Sequence, residues 1–111
     1  MASKYELKKS PSGQYMFNLK AANGEVILTS ELYTEKEHAQ AGIESVKKNS
    51  ASDGNFERKL SKKDEPYFVL KAANGQIIGK SEMYSSKSAM ENGVTSVRTN
   101  GPTAATHDLA I

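Results

Sequence analysis

The sequence predicts an α+β fold in which two tandem β-β-β-α(-β) repeats share one antiparallel sheet, with both helices on one face. Three observations lead to this prediction. A shift of about 51 positions places residues 19–27 on residues 70–78 without a gap, which indicates an internal duplication. Apolar runs flank Asn23-Gly24 in the first copy and Asn74-Gly75 in the second, a pattern typical of β-hairpins. An apolar stripe at helical spacing follows the strands of each copy.

Chain length predicts how the two copies combine. The chain has 111 residues, and a repeat of about 50 residues rarely buries enough apolar surface to fold alone. We therefore expect one compact domain over residues 1–111 with a shared core. Repeat one is predicted at about residues 4–50, repeat two at about 55–101, and a tail strand at about 105–110.

Turn chemistry predicts the register of the strands. A two-residue type I′ turn at Asn23-Gly24, with positive φ at both positions, sets Leu19 opposite Leu28. Residues 11–13 suit a three-residue loop with Gly13 in the left-handed conformation, whereas the corresponding loop after residue 60 is more charged and looks less regular. The face expected to meet the helices carries Tyr5, Leu7, Phe17, Leu19, Ala21, Val26 and Leu28, and in the second copy Phe56, Phe68, Leu70 and Ile77.

A helix is predicted to close each repeat. Thr34 with Glu37 forms a capping box in the first copy, and Ser85 or Ser86 begins the helix in the second. Gly42 and Gly93 lie on the apolar stripes, where close packing against the sheet explains a residue of low helix propensity. The stripes themselves are Ala39, Ile43 and Val46, and Met90, Val94 and Val97, and the helices are expected to stop at Asn49 and Asn100.

A long motif that occurs twice carries a family resemblance. Leu-Lys-Ala-Ala-Asn-Gly begins at residues 19 and 70, Ser-Glu-x-Tyr-x-x-Lys at residues 30 and 81, and Gly-x-x-Ser-Val at residues 42 and 93. The pattern resembles the YegP-like family of small bacterial proteins. This resemblance implies β3-α-β units whose strands join one sheet, with end strands exchanged between units. It brings no activity and no catalytic or binding residues.

Composition excludes several classes of site. The 15 basic residues are offset by 13 acidic ones, so the net charge of +2 argues only weakly for nucleic acid. Without cysteine there are no disulfides, no thiolate catalysis and no thiolate metal sites. No stretch approaches the roughly 18 apolar residues that span a bilayer, and the beginning of the sequence has no apolar leader. We expect a cytoplasmic protein that does not enter a membrane.

Catalytic candidates in the sequence have structural explanations that we prefer. His38 and His107 lack a second ligand at metal-binding spacing and belong to no recognisable nucleophile motif. Glu31 and Glu82 recur at the ends of the third strands, where polar residues before a helix are ordinary. The adjacent tyrosines, Tyr33 and Tyr84, are expected to pin the turn from strand to helix. We therefore predict no enzyme activity, no catalytic or metal site and no cofactor.

The sheet face opposite the helices is the candidate partner-binding surface. It is expected to display Glu6, Met16, Asn18, Ile27 and Thr29 with Glu57, Val69 and Ile78, together with the candidate binding residues Lys8, Lys20, Lys59, Tyr67, Lys71 and Lys80. We expect a monomer with internal pseudo-twofold symmetry that acts as a binding or structural module, through this face or through the seam between the two copies. The lysines of the face suit an acidic protein as partner. The alternative is single-stranded nucleic acid, bound through the same lysines. A face that is merely solvated is common in antiparallel sheets and is the simplest interpretation.

Overall fold

Seven strands and two helices form the part of the chain, residues 3–110, that the computed structural model describes. A short 3₁₀ turn at Asp53–Asn55 leads from the first repeat into the second. The strands are β1 (Lys4–Lys9), β2 (Tyr15–Lys20), β3 (Val26–Thr29), β4 (Phe56–Leu60), β5 (Pro66–Lys71), β6 (Ile77–Lys80) and β7 (Ala105–Asp108), and the helices are α1 (Lys36–Asn49) and α2 (Lys87–Asn100).

All seven strands join one sheet in the order β4-β5-β6-β3-β2-β1-β7. Neighbouring strands run antiparallel except at one edge, where β7 pairs with β1 in parallel. The predicted α+β fold with a shared sheet is confirmed, and the parallel tail strand makes that sheet mixed. Since β7 follows the second helix but joins the first repeat, an end strand is exchanged between repeats. The two repeats meet where Thr29 of β3 pairs with Lys80 of β6.

Both helices pack on one face of the sheet and form the core with it. Phe17 and Phe68 are fully buried in this core, so the phenylalanines of the second strands point towards the helices as predicted. An added Cβ on Gly42 would lie 2.6 Å from the hydroxyl oxygen of Tyr33, and one on Gly93 would collide with the Tyr84 ring. The glycines therefore make room for aromatic rings that stack on the phenylalanines.

The Asn-Gly hairpins differ from the predicted type I′ turns. Among the described residues only Gly24 and Gly75 take positive φ in these turns, both at 87°, so the preceding asparagines do not. The amide of Gly24 donates to the carbonyl of Ala21 at 2.9 Å, and the amide of Ala21 donates to the carbonyl of Glu25 at 2.9 Å. The turn therefore ends in a single glycine in the left-handed conformation. A hairpin loop of this kind contains one residue more than the two-residue type I′ loop.

The longer turn introduces a β-bulge in the third strand of each repeat. Between the bulge and the turn, side chains point to the opposite face from the one predicted. Leu19 still pairs with Leu28, but Lys20 pairs with Val26, so Ile27 is an extra residue. Ile27, and its equivalent Ile78, were expected on the open side but are buried in the core cluster. Ile77 was expected in the core but is 39% exposed, because the bulge reverses the alternation there. For the same reason Val26 is half-buried opposite Lys20 and does not belong to the core cluster.

The first loops of the two repeats are alike, which corrects the expectation of an irregular second loop. Gly13 has φ of 83°, as predicted, and Asp64 takes the equivalent place with φ of 60°. The amide of Ser10 donates to the carbonyl of Gln14 at 2.6 Å, and the amide of Ser61 donates to the carbonyl of Glu65 at 2.9 Å. The aspartate adopts the left-handed backbone conformation that the glycine adopts in repeat one, because Asp tolerates that region better than most residues.

The two helices begin differently and end alike. The residue that precedes α1 is Glu35, without a side-chain cap, so the predicted Thr34 capping box is wrong. Before α2 the hydroxyl of Ser86 accepts from the amide of Ala89 at 3.0 Å, as one of the predicted alternatives required. Both helices end at asparagine, as predicted.

Candidate binding face

The face opposite the helices, which we call the open face, carries one continuous row of paired residues. The register places one residue of every strand in line, because each pair is directly opposite in the hydrogen-bonded ladder. The row consists of Glu57, Val69, Lys80, Thr29, Asn18, Glu6 and His107. Side chains two residues away along each strand point to the same side. The open face therefore extends to the lysines that precede and follow these positions.

Glu6 is the centre of the first lysine cluster. Its carboxylate lies 2.8 Å from the ammonium of Lys20, 3.4 Å from that of Lys4 and 3.6 Å from that of Lys8. Lys4 pairs with Lys20 across β1 and β2, while Lys8 is two residues along β1. The hydrogen bond from Lys20, with the charges of the other lysines, lowers the pKa of the Glu6 carboxyl. Glu6 is thus held ionised, and its cluster retains two positive charges.

Glu57 is the centre of an equivalent cluster in the second repeat. Its carboxylate lies 2.5 Å from Lys71 and 3.6 Å from Lys59. The hydrogen bond from Lys71 is the main reason that the pKa of the Glu57 carboxyl is lowered. The ammonium of Lys80 lies 5.1 Å from the centre of the Tyr67 ring, within the range of a cation–π contact. The duplication has therefore produced two similar charged clusters on one surface.

The middle of the open face contains buried residues. Val69 is buried, although it is outside the core cluster that the helices form. Asn18 is also buried, and its amide donates to the hydroxyl of Thr29 at 2.9 Å. Lysine side chains can bury their stems while their charged ends stay in water. The lysine side chains of this face are partly buried in this way, with exposed fractions of 24% for Lys20 and 36% for Lys71.

All six candidate binding residues lie on the open face: Lys8, Lys20, Lys59, Tyr67, Lys71 and Lys80. Their role in binding remains a prediction. The structure adds Lys4 and His107 to this face. Lys4 was identifiable from the sequence, because it is two residues from Glu6 on a predicted strand. His107 was not, because only the paired register of β7 reveals its side.

Of the residues considered for catalysis, the two histidines lie on different elements, whereas Glu31 and Glu82 line the same cavity. His38 is exposed near the start of α1, with its Nε2 atom 3.3 Å from the Glu35 carboxylate. His107 lies on the exposed strand β7. Glu31 and Glu82 both line a shallow cavity of about 350 Å³ where the repeats meet, and both are exposed.

Tyr33 and Tyr84 hold the turns from strand to helix. The backbone of Tyr33 exchanges two hydrogen bonds of 2.7 Å with that of Tyr15, and the Tyr84 amide donates to the Pro66 carbonyl at 2.8 Å. Burial raises the pKa of both hydroxyls. These contacts agree with the pinning role that the sequence suggests.

Fold and face together define a class: two-repeat α+β proteins with a single mixed sheet, helices on one side and charged clusters on the other. Comparison with known families identifies both repeats. A domain of unknown function, DUF1508, matches residues 10–57 and again residues 61–108. A UPF0339 protein of Acinetobacter baylyi is 52% identical over 98% of each chain. UPF0339 protein YegP of Yersinia pestis is 53% identical over 96% of each chain. The chain belongs to this DUF1508/UPF0339 family.

Solved structures of relatives have the same fold. The solution NMR structure of a UPF0339 protein from Shewanella oneidensis, 55% identical, superposes with a TM-score of 0.92 over 99% of this chain and 93% of that one. The solution NMR structure of YegP from E. coli, described as a protein of unknown function, is 48% identical, with a TM-score of 0.93 over 99% and 95% of the chains. Within residues 3–110, neither helix has the length and apolar character needed to cross a bilayer.

Proposed function

We propose that the chain is a non-enzymatic binding module whose open face holds an acidic segment of a partner protein. The charge of that face is the observation that carries the proposal. Its described strand residues include six lysines and two glutamates, an excess of four positive charges: Lys4, Lys8, Lys20, Lys59, Lys71 and Lys80, with Glu6 and Glu57. The rest of the chain offsets this excess, since the whole carries only +2.

The arrangement of the lysines supports binding to carboxylates. Glu6 shows what the first cluster accepts, because three ammonium groups already converge on one carboxylate. The side chains of these lysines are partly buried, so less side-chain freedom is lost when a ligand arrives. A second carboxylate that approaches from solvent meets ammonium groups whose positions are already constrained.

A protein segment fits this face better than single-stranded nucleic acid. Non-specific binding of single strands combines a basic groove with several aromatic rings on which bases stack. Tyr67 is the one aromatic side chain that the described strands present on the open face, and the Lys80 ammonium lies against its ring. Nucleic acid therefore remains the alternative that the experiment below distinguishes.

The ionisation of the glutamates supports a non-enzymatic role. A general acid or base works best with a pKa near the operating pH. The lysines move the pKa values of Glu6 and Glu57 in the opposite direction, so both stay charged at neutral pH. Fixed ion pairs of this kind suit recognition and structure better than proton transfer.

A cytoplasmic monomer is part of the same proposal. Charged residues make up 25% of the chain and cysteine is absent, a composition suited to a reducing compartment. The duplication joins two units in one chain, and both contribute strands to one sheet. Fractionation of cells that express the tagged protein, and sedimentation of the purified chain, test these two statements.

An NMR titration tests the function. The labelled chain is titrated with a ten-residue polyglutamate peptide and, separately, with a single-stranded oligothymidylate. Saturable shifts at Glu6, Lys20, Glu57 and Lys71 with the peptide are the expected result. The Lys20→Gln/Lys71→Gln variant should bind at least tenfold more weakly, and binding should weaken as salt rises.

A matched variant controls for net charge. Lys48→Gln/Lys63→Gln removes the same two charges from exposed positions outside the open face and should bind like the unmodified chain. Binding of oligothymidylate without binding of the peptide would overturn the protein-segment proposal in favour of nucleic acid. Equal weakening by both variants would overturn the assignment to the open face.

A further inference from the structure

The two edges of the sheet are equivalent in sequence but not in occupancy. The repeat relates β1 to β4, and each is the first strand of its unit. The outer edge of β1 is covered by β7, which runs parallel to it. The order of the sheet leaves β4 as the last strand on the other side, with no described strand beyond it. The duplication thus provides two similar edges, and residues 3–110 contain one tail strand to fill them.

The occupied edge shows how an extended segment is held. Leu7 of β1 is opposite Asp108, and its carbonyl accepts from the Leu109 amide at 2.8 Å. The ammonium of Lys36, in the first turn of α1, lies 2.5 Å from the Asp108 carboxylate. Ala110 then packs against the core. The tail is therefore recognised by strand pairing, by one lysine on the helix and by an apolar contact beyond the acidic residue.

The same parts are present at the β4 edge, where they surround a cavity of about 410 Å³ between β4 and α2. We call it the β4 groove; it is lined by Arg58, Lys59, Leu60, Pro66, Lys87, Met90 and Glu91. Lys87 is the repeat equivalent of Lys36. Leu60 is 55% exposed, so the groove offers an apolar wall that nothing in the described chain covers.

Charge in the β4 groove favours an acidic ligand. Arg58 is held by Asp53 at 2.8 Å and by Glu91 at 3.0 Å. Arg98 also lies 3.7 Å from Asp53, so two guanidinium groups balance two carboxylates. Lys87 makes no ion pair with any residue in the described range 3–110 and is exposed. Lys59 lies 3.6 Å from Glu57, so Lys87 is the cation of the groove that no described carboxylate pairs with, and it corresponds to Lys36 beside Asp108.

We propose that the β4 groove binds an extended segment of another protein, which adds to the sheet as an eighth strand parallel to β4. The segment carries an acidic residue that pairs with Lys87, followed by an apolar residue that lies against Leu60 and Met90. Such strand addition obtains affinity from backbone hydrogen bonds and selectivity from alternate side chains. The charges of Glu57 and Lys59 on this edge discourage uncharged strands from pairing there.

The tail of a second copy is a poorer occupant than a different protein. The chain's own tail is already paired with β1, where Tyr5 and Leu7 are fully buried. Moving it to another molecule would leave the equivalent edge of its own sheet unpaired. A partner segment fills the β4 groove without that cost.

The chain's own tail sequence, Ala-Thr-His-Asp-Leu-Ala-Ile, is a suitable probe as a synthetic peptide. Titration into the labelled full-length chain should shift the amides of β4 and the first turns of α2. Lys87→Glu should weaken binding at least tenfold, as should an Asp→Lys change in the peptide. Combining the two changes should restore most of the affinity, because the charges are exchanged. Lys48→Glu on exposed α1 surface is the matched control and should bind normally.

Three results would overturn the proposal. Shifts at β1 and α1 alone would mean that the peptide replaces the tail at the occupied edge. No saturable shift at millimolar peptide would mean that the β4 groove binds no such segment. Concentration-dependent dimerisation through β4, without peptide, would assign the groove to a second copy. None of these depends on Lys20 or Lys71, so the outcome is separate from that of the open-face titration.

Discussion

The hydroxyl of Tyr5 donates a 2.6 Å hydrogen bond to the backbone carbonyl of Gly101. This bond links β1 in repeat one to the residue that follows α2 in repeat two. Both residues are buried, and burial raises the pKa of the Tyr5 hydroxyl because a phenolate would lose its hydration. The repeat equivalent of Tyr5 is Phe56, which has no hydroxyl, so the contact breaks the pseudosymmetry of the chain.

Tyr5→Phe should destabilise the protein by about 1–2 kcal/mol, because it leaves a buried carbonyl without its donor. Urea unfolding followed by circular dichroism measures the change. Tyr67→Phe on the open face is the control, and we expect it to change the free energy of unfolding by less than about 0.5 kcal/mol. Equal effects of the two variants would show that the bond to Gly101 does not stabilise the fold.

The repeat equivalent of Gly101 is Ser50, and the two residues touch. Ser50 is fully buried and its hydroxyl finds no hydrogen-bond partner among the described residues. A Cβ added to Gly101 would collide with that hydroxyl, so the contact has no spare space. Ser50→Ala should therefore stabilise the protein by about 1 kcal/mol, since it removes a buried polar atom that is not bonded.

Thermal and urea unfolding of Ser50→Ala test this expectation, with exposed Ser85→Ala as the matched serine control. A loss of stability in Ser50→Ala beyond that of the control would mean that the hydroxyl is satisfied, for instance by a buried water.

How far the fold follows from the sequence is clearest at the hairpins. The repeat and the apolar pattern predicted the strands correctly, and Leu19 pairs with Leu28 as predicted. The turn type was wrong, because Asn-Gly fits both a type I′ turn and a longer turn with one left-handed glycine. That one residue decides the position of the bulge, and the bulge decides whether Ile77 or Ile78 is buried. Local sequence does not distinguish the two turns when the strands beyond tolerate either register.

The candidate binding face was predictable in part for a similar reason. Alternation along a strand identifies its side, so Lys20 and Lys71 could be assigned correctly. Pairs of residues on neighbouring strands can be assigned only when the register is known. The three lysines around Glu6, for example, come together because of the way β1 pairs with β2. The β4 groove was not predictable, because it depends on a tail strand pairing with β1 at the opposite edge.

The first loops provide a matched test of backbone strain. Asp64 at φ of 60° occupies the place that Gly13 occupies in repeat one. Asp64→Gly should stabilise the chain by about 0.5–1 kcal/mol, because glycine adopts this region without a side-chain penalty. The reciprocal change, Gly13→Asp, should destabilise it by a similar amount. Chemical denaturation measures both, and changes of the same sign in the two variants would contradict the equivalence of the loops.

The lysine cluster around Glu6 predicts how stability depends on pH. The pKa of the Glu6 carboxyl is lower in the folded chain than its usual 4.5, chiefly through the hydrogen bond from Lys20. A carboxyl with a lowered folded pKa contributes its full stabilisation above the unfolded pKa, and this is lost as pH falls through the folded value. We therefore expect the unfolding free energy to decline below about pH 4.5, with Glu6 responsible for part of the decline.

Urea unfolding between pH 7 and pH 2 measures that contribution. Glu6→Gln should show a shallower decline than the unmodified chain, because glutamine does not titrate. Glu31→Gln, at an exposed position without an ion pair in the described chain, should keep the original slope. At neutral pH Glu6→Gln should also be less stable, since three lysines lose their common carboxylate. Identical slopes for the two variants would mean that the cluster, although present on the open face, does not stabilise the folded chain.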